Sequence, residues 1–379
     1  MRFILSILFL SIGISGFNQS IIPSVKNLTL QASAENQGIP IDQILYAYSP
    51  SQIDLPVRLG GSAGLKSTNQ PDQANVVFDL DPQMNTPAEG YQISIKDRKI
   101  TLTGKDQAGL FYAFITLDQL IKDYKVLPNL ELVDYPSIGF RPIHIDVKHH
   151  LEKKEYYYDL IDFLAQLKIN GIILELEDKI KYTNRTAIAS EDAFSIEEWK
   201  ALSDYAMERN ISISPLVQGL GHASYILKHP QYQELRDDLE SDWAFNPLNP
   251  ETYELQFDLY RQAMEATPHG KYLHVGGDEV QTTGRESGQS ALELNLIWLN
   301  KVSEFAAQNG RIPIFWDDMP LKQAAVYYPM FDQNMPKEKV DSLWMANKGN
   351  LEQFLDRFPK NCIYMRWNYS HAETYGNDK

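Results

Sequence analysis

From residue 140 onward the chain repeats strand, loop and helix, and this rhythm limits its architecture more than any other feature of the sequence. Candidate strands are His144–Val147, Gly171–Leu176, Ile211–Val217, Tyr272–Val275, Ile312–Trp316, Ser342–Met345 and Asn361–Met365. Between the first two, Tyr157, Leu160, Ile161, Leu164 and Leu167 fall on one face of a helix. Leu292 to Phe305 does the same between the fourth and fifth, with Gly310 as a stop. Strands alternating with helices predict a parallel sheet, and this many repeats predict an α/β fold of the (β/α)8 TIM-barrel type, with an open doubly wound sheet as the alternative. Polar residues collect at the strand ends: Asp146, Glu177-Asp178, His222, Asp278-Glu279 and Asp317-Asp318. In a barrel those ends share one face, where active sites sit. The sequence stops soon after the seventh candidate strand. An unclosed barrel exposes two strand edges, so the expectation is a barrel truncated after the seventh strand in a fragment of a longer protein.

The preceding part reads differently. Gln92–Ile95 and Lys99–Thr103 alternate with period two around Lys96-Asp97-Arg98, which predicts a hairpin, and Ala108 to Leu120 has helical spacing. A small α/β layer is expected over residues 20–133, with a boundary at Asp134-Tyr135-Pro136-Ser137 and the barrel over 137–379. A chain of 379 residues is long enough for two such units. At the N-terminus, Arg2 and the short apolar run Phe3–Ile14 predict an export signal over 1–16, cleaved after Ser15 or Gly16, and a periplasmic or secreted bacterial protein. No later segment is apolar for long enough to cross a bilayer, so no membrane span is expected after signal removal. The net charge of −15 argues against nucleic acid as a partner. Cys362 is the sole cysteine, which excludes an intrachain disulfide framework.

Among the strand ends, Tyr272-Leu273-His274-Val275-Gly276-Gly277-Asp278-Glu279 carries the clearest chemistry. Neighbouring side chains on a regular strand point to opposite faces, so two adjacent acids serve one site only if the backbone leaves the ladder. Gly276-Gly277 permits that. Two carboxyls crowded in a dry cleft resist ionising together, and the one kept protonated can act as an acid near neutrality. Glycoside hydrolysis needs such a divided pair. The bland alternative is a solvated Asp-Glu at a loop start.

His274-x-Gly276-Gly277-Asp278-Glu279 resembles the H-x-G-G-D-E signature of glycoside hydrolase family 20, the β-N-acetylhexosaminidases. Glu89–Ile93, Gly104–Tyr112 and Thr116–Leu120 are similar to the non-catalytic domain that precedes the barrel in that family. Asp134-Tyr135-Pro136, Arg141 and Asp146 resemble its entry into the first barrel strand. Asn170–Asp178 and Ser214–His222 resemble the hexosaminidase D-like branch.

The resemblance implies an exo-acting enzyme that removes terminal N-acetylhexosamine from a glycan or glycoconjugate by a retaining, substrate-assisted mechanism, with no cofactor and no metal. Glu279 would be the general acid and base. Asp278 would hold the acetamido N–H while the acetamido carbonyl attacks. Arg141 would grip sugar hydroxyls, with a salt bridge at the barrel mouth as its alternative. Asp178 and His222 would pair beside the acid/base, and His274 would support it from within the motif. Trp316, ending the fifth strand, and Trp344, near the end of the sixth, would wall the pocket or belong to the core. Tyr364, with Tyr369 as competitor, would bind the acetamido oxygen from the seventh strand.

The chain departs from the family at Gln218, where most members have an acid, at Glu175, where many have histidine, and at His149, where arginine is frequent. Two other functions stay open at this stage. One is an inactive or truncated relative that binds carbohydrate. The other reads Gly-Gly-Asp-Glu as a diguanylate cyclase signature, against which stand the export signal and Val280 after the motif. A metal site at His274, Asp278 and Glu279 fits no strong ligand spacing.

Overall fold

The computed structural model describes residues 21–31, 38–50, 64–327 and 334–367. The expected export signal and Tyr369 lie outside these residues. Two compact units emerge. The first holds the described residues up to Pro142 together with Glu155–Asn170 and Glu208–Ile211. The second holds Ile143–Lys154, Gly171–Met207 and the described residues from Ser212 onward.

The first unit contains β1 (Asn27–Leu30), β2 (Ile39–Pro40), β3 (Tyr46–Tyr48), β4 (Lys66–Ser67), β5 (Val76–Leu80), β6 (Tyr91–Lys96), β7 (Lys99–Gly104), β8 (Val126–Leu127) and β9 (Leu130–Asp134). Seven of these form one sheet in the order β1-β9-β6-β7-β5-β3-β4, while β2 pairs with β8. The expected hairpin is β6–β7. Lys96 faces Lys99 across a two-residue turn in which Asp97 and Arg98 both take positive φ, the geometry that matches the twist of an antiparallel pair. Ile93, Ile95, Ile100 and Leu102 are buried on one face, and the helix Gln107–Asp123 lies against β6 and β7. Asp106 starts that helix by accepting the Gly109 N–H.

The second unit is built on β10 (Pro142–Asp146), β11 (Gly171–Glu175), β12 (Ser212–Gly219), β13 (Tyr272–Gly276), β14 (Ile312–Trp316) and β15 (Ile363–Met365). They form a parallel sheet in chain order, with helices in the connections, the TIM-barrel-like α/β arrangement that the rhythm predicts. β11 and β12 are buried throughout, as expected of strands covered on both faces. Ile196–Met207 and Pro250–Ala266 pack on β12, and Ala291–Gln308 packs on β14.

One expected strand is a helix. Ser342–Met345 falls within the helix Lys337–Asn347, so the sheet has six strands among the described residues where seven were expected. Pro336 begins this helix, and Lys337 pairs with Asp341 one turn on at 3.1 Å. The apolar run Leu343-Trp344-Met345 is too short to reveal a period of its own. Among the described residues, no helix is long and apolar enough to cross a membrane.

Candidate active site

The ends of β11, β12 and β13 leave regular geometry one after another. Glu177, Leu220, His222 and Glu279 are non-glycine residues with φ of +41°, +65°, +51° and +48°. Such conformations cost roughly 1–3 kcal/mol each and persist where the surroundings over-determine them. Between β12 and β13 the register shifts after Leu216↔His274. Gly276 and Gly277 then take φ of +74° and +93°. At Gly276 a side chain is excluded twice, by the positive φ and because a Cβ would lie 2.0 Å from the Gln218 amide oxygen.

The irregular backbone brings the two acids together. Asp278 Oδ2 lies 3.3 Å and Glu279 Oε2 3.5 Å from the same atom, Nε2 of His222, in ion-pair contact without hydrogen-bond alignment. Their surroundings differ. The Glu279 side chain is 52% exposed and that of Asp278 13%, so only one of the two sits in the dry environment that the sequence suggested. Asp278 Oδ1 is buried with no hydrogen-bond partner among the described residues. Burial disfavours the His222 imidazolium, but the Asp278 carboxylate outweighs that and leaves the histidine pKa raised.

Beside this trio a charged network lines the cleft, whose volume is roughly 400 Å3. Glu175, almost fully buried, accepts from Lys148 Nζ and from the Gln218 amide at 3.0 Å each through Oε1, and its Oε2 lies 3.0 Å from His144 Nε2. Burial alone would raise its pKa, yet His144, Lys148 and Gln218 together pull it down to about 2. Lys148 also pairs with Asp146 at 3.1 Å, and the two carboxylates outweigh burial to hold its ammonium charged. Trp316 ends β14 as an aromatic wall, and Trp367 adds a second.

The residues singled out in the sequence separate into those in the cleft and those elsewhere. His222, Asp278, Glu279 and Trp316 line it. His274 is fully buried: its Nδ1 accepts the Gly276 N–H at 3.1 Å, and its ring leans on Trp316 with centroids 4.6 Å apart. Burial, reinforced by His144, pulls its pKa down to about 3, so it is neutral and shapes the turn. Asp178 is not the partner of His222. Its side chain lies 3.6 Å from Lys179 Nζ, and Asp278 stands beside the imidazole instead.

Arg141 is also outside the cleft. It precedes β10, and its guanidinium donates to Glu89 Oε2 at 2.7 Å, the Tyr112 hydroxyl at 3.2 Å and the carbonyls of Ile138 and Lys168, all within the first unit. Trp344 sits on a helix, 40% exposed. Tyr364 is on β15 as expected, but its hydroxyl donates to the Pro359 carbonyl at 3.0 Å and the residue does not line the cleft. Sequence reasoning passed over His144, Lys148 and Trp367 and noted Glu175 and Gln218 only as departures. The signal for the first two was parity, since His144, Asp146 and Lys148 occupy alternate positions. Among the described residues, no group of three His, Cys, Asp or Glu side chains is placed so that it could hold a metal ion.

Comparison with known proteins identifies the fold and its lineage. The family model "Glycosyl hydrolase family 20, domain 2" matches residues 18–135, and "Glycosyl hydrolase family 20, catalytic domain" matches residues 138–357. Hexosaminidase D of Bos taurus is 29% identical over 191 residues, covering 47% of this chain and 55% of its own length. A β-hexosaminidase of Porphyromonas gingivalis is 24% identical over 339 residues, covering 77% of this chain and 42% of its own length. The chain thus spans about half the length of these curated relatives. Among solved structures, the GH20 β-N-acetylhexosaminidase from Streptomyces coelicolor A3(2) superposes with a TM-score of 0.67 at 17% identity, over 94% of this chain and 72% of that one. With the catalytic-domain model spanning more than half of the chain and carrying the Asp278-Glu279 turn within it, the chain belongs to glycosyl hydrolase family 20.

Proposed function

We propose that this chain is an exo-acting β-N-acetylhexosaminidase that cleaves a terminal N-acetylhexosamine with retention, using the acetamido group of the substrate as nucleophile. The observation that carries this reading is the convergence of Asp278 and Glu279 on His222 Nε2, at 3.3 and 3.5 Å, with one carboxyl buried and the other half exposed. Glu279, at the open side, protonates the departing oxygen and later takes a proton from the incoming water. Asp278 accepts the acetamido N–H through its unpartnered Oδ1 and offsets the positive charge that grows on the ring formed by acetamido attack. His222, held toward its charged form, keeps the two carboxyls in register.

The sugar hydroxyls are held by Lys148 as donor and Asp146 as acceptor, the role that the family resemblance assigned to Arg141. Trp316 packs against the ring and excludes water. Export is part of the same reading: Arg2 and Phe3–Ile14 support cleavage after Ser15 or Gly16, readable as the first residue of the mature protein.

The test is hydrolysis of p-nitrophenyl N-acetyl-β-glucosaminide and the corresponding galactosaminide. Wild type should release nitrophenol from at least one of them, and Glu279→Gln should lower kcat by roughly 10²–10⁴-fold, the range for loss of a general acid/base. Binding without turnover by the wild type would identify a carbohydrate-binding relative instead.

A further inference from the structure

Glu279 is a non-glycine residue in the left-handed region, φ +48°, and this conformation turns its carboxyl to the same side as that of Asp278. Its own side chain cannot be what holds the backbone there, because half of it is in solvent and its one close ionic contact among the described residues is His222 at 3.5 Å. The peptide groups on either side are held instead. Trp243 donates its indole N–H to the Glu279 carbonyl oxygen at 3.0 Å. Asp318, fully buried, accepts the Glu279 N–H through Oδ2 in a long bond of 3.4 Å, and the same oxygen takes Lys322 Nζ at 2.7 Å.

Trp243 is tied in from the other side as well. Its carbonyl accepts the Ala223 N–H at 3.0 Å, and its ring lies against His222 with centroids 4.4 Å apart. It therefore joins the loop that carries His222 to the loop that carries Glu279. Yet it is 39% exposed, which is unusual for a large aromatic residue with a purely structural task. Asp318 is equally hard to explain by packing alone, since its other carboxylate oxygen is buried without a hydrogen bond among the described residues.

We propose that Trp243 and Asp318 are positioning residues that clamp the Glu279 backbone in its left-handed conformation and so aim the acid at the departing oxygen. This rests on Glu279 being the general acid. A misaimed acid costs most where the leaving group needs its proton, and least where the leaving group departs as a stable anion.

The experiment compares kcat/KM for phenyl and p-nitrophenyl N-acetyl-β-glucosaminides, which differ in leaving-group acidity and little in size. Trp243→Phe keeps an aromatic ring beside His222 and removes the N–H donor. It should lower kcat/KM about 10–100-fold on the phenyl substrate, the range for a small misplacement of a reacting group, and less than about 3-fold on the nitrophenyl one. Asp318→Ala should show the same selective loss, and Asp318→Asn, which keeps an acceptor for the Glu279 N–H, should recover most of it. Equal losses on both substrates, or no loss in either variant, overturn the clamp. A wild type inactive on both substrates would instead sink the activity on which the clamp depends.

Discussion

Glu177 carries its carboxyl just beyond the end of β11, only 8% exposed and near Glu175, Asp146 and Lys148. Burial, followed by the repulsion of Glu175, pushes its pKa up from 4.5 to about 8. Glu175, two residues earlier on the same chain, is pulled the opposite way because three donors meet it. The two shifts act on stability in opposite pH ranges. Glu175 stabilises the fold above the ordinary carboxylate range, and that contribution is lost as the pH falls from about 4.5 towards 2. For Glu177 the folded-state pKa is the higher one, so unfolding releases a proton and stability falls as the pH rises from about 4.5 to 8. Between them, these residues favour a mildly acidic optimum. Glu177→Gln removes the second loss. The variant should match wild type in unfolding free energy near pH 4.5 and exceed it at pH 8 by a few kcal/mol, at roughly 1.4 kcal/mol per pKa unit, a difference read as a higher thermal midpoint at pH 8. Equal midpoints at pH 8 would show that the Glu177 carboxyl is not held neutral.

At the level of single elements, the end of β13 concentrates the constraints. A methyl at Gly276 meets the Gln218 amide oxygen at 2.0 Å, and Gln218 is the residue that donates to Glu175. Gly276→Ala should therefore destabilise the fold by about 2 kcal/mol or more, from the left-handed φ and the displaced amide together. It should also lower activity further than that loss of folded protein explains, as read by thermal midpoint and initial rate on one preparation. This turn was legible in the sequence because two successive glycines between an apolar strand and paired acids let the backbone leave the ladder there. The cleft's remaining walls were less so. Which parity of β10 faces the cleft depends on how the sheet curves, and His144, Asp146 and Lys148 show only that some face is polar. Arg141 stands before its strand, the end of a parallel barrel strand opposite the catalytic loops, and its partners Glu89 and Tyr112 lie far back in the chain. Trp344 lost its strand to a helix whose evidence, Pro336 and the Lys337–Asp341 pair, lies upstream of the apolar run. Trp243 reaches Glu279 across 36 positions of sequence, a separation that no local period encodes.

Across the whole molecule, the strand–helix rhythm was readable because it is a pattern summed over many residues. The grouping of Glu155–Asn170 and Glu208–Ile211 with the first unit was not, since it rests on pairings such as that of Lys168 with Asp134 at 3.3 Å and with the Tyr91 hydroxyl at 2.7 Å. Lys168 is 7% exposed, and burial lowers its pKa despite Asp134. A fragment covering residues 138–379 would retain this lysine without either partner. It should give a lower soluble yield and a lower thermal midpoint than the full chain; equal values would mean that the barrel segment needs neither. The same crossing has a consequence for synthesis. The sheet of the first unit is complete by Asp134, but its last segment ends at Ile211. At roughly 5–20 residues per second, a ribosome takes on the order of 4–15 s to cover that distance. Lys168, the cation that Tyr91 and Asp134 await, comes 34 positions after Asp134, on the order of 2–7 s into that interval, so the sheet of the first unit is translated before that unit can finish folding.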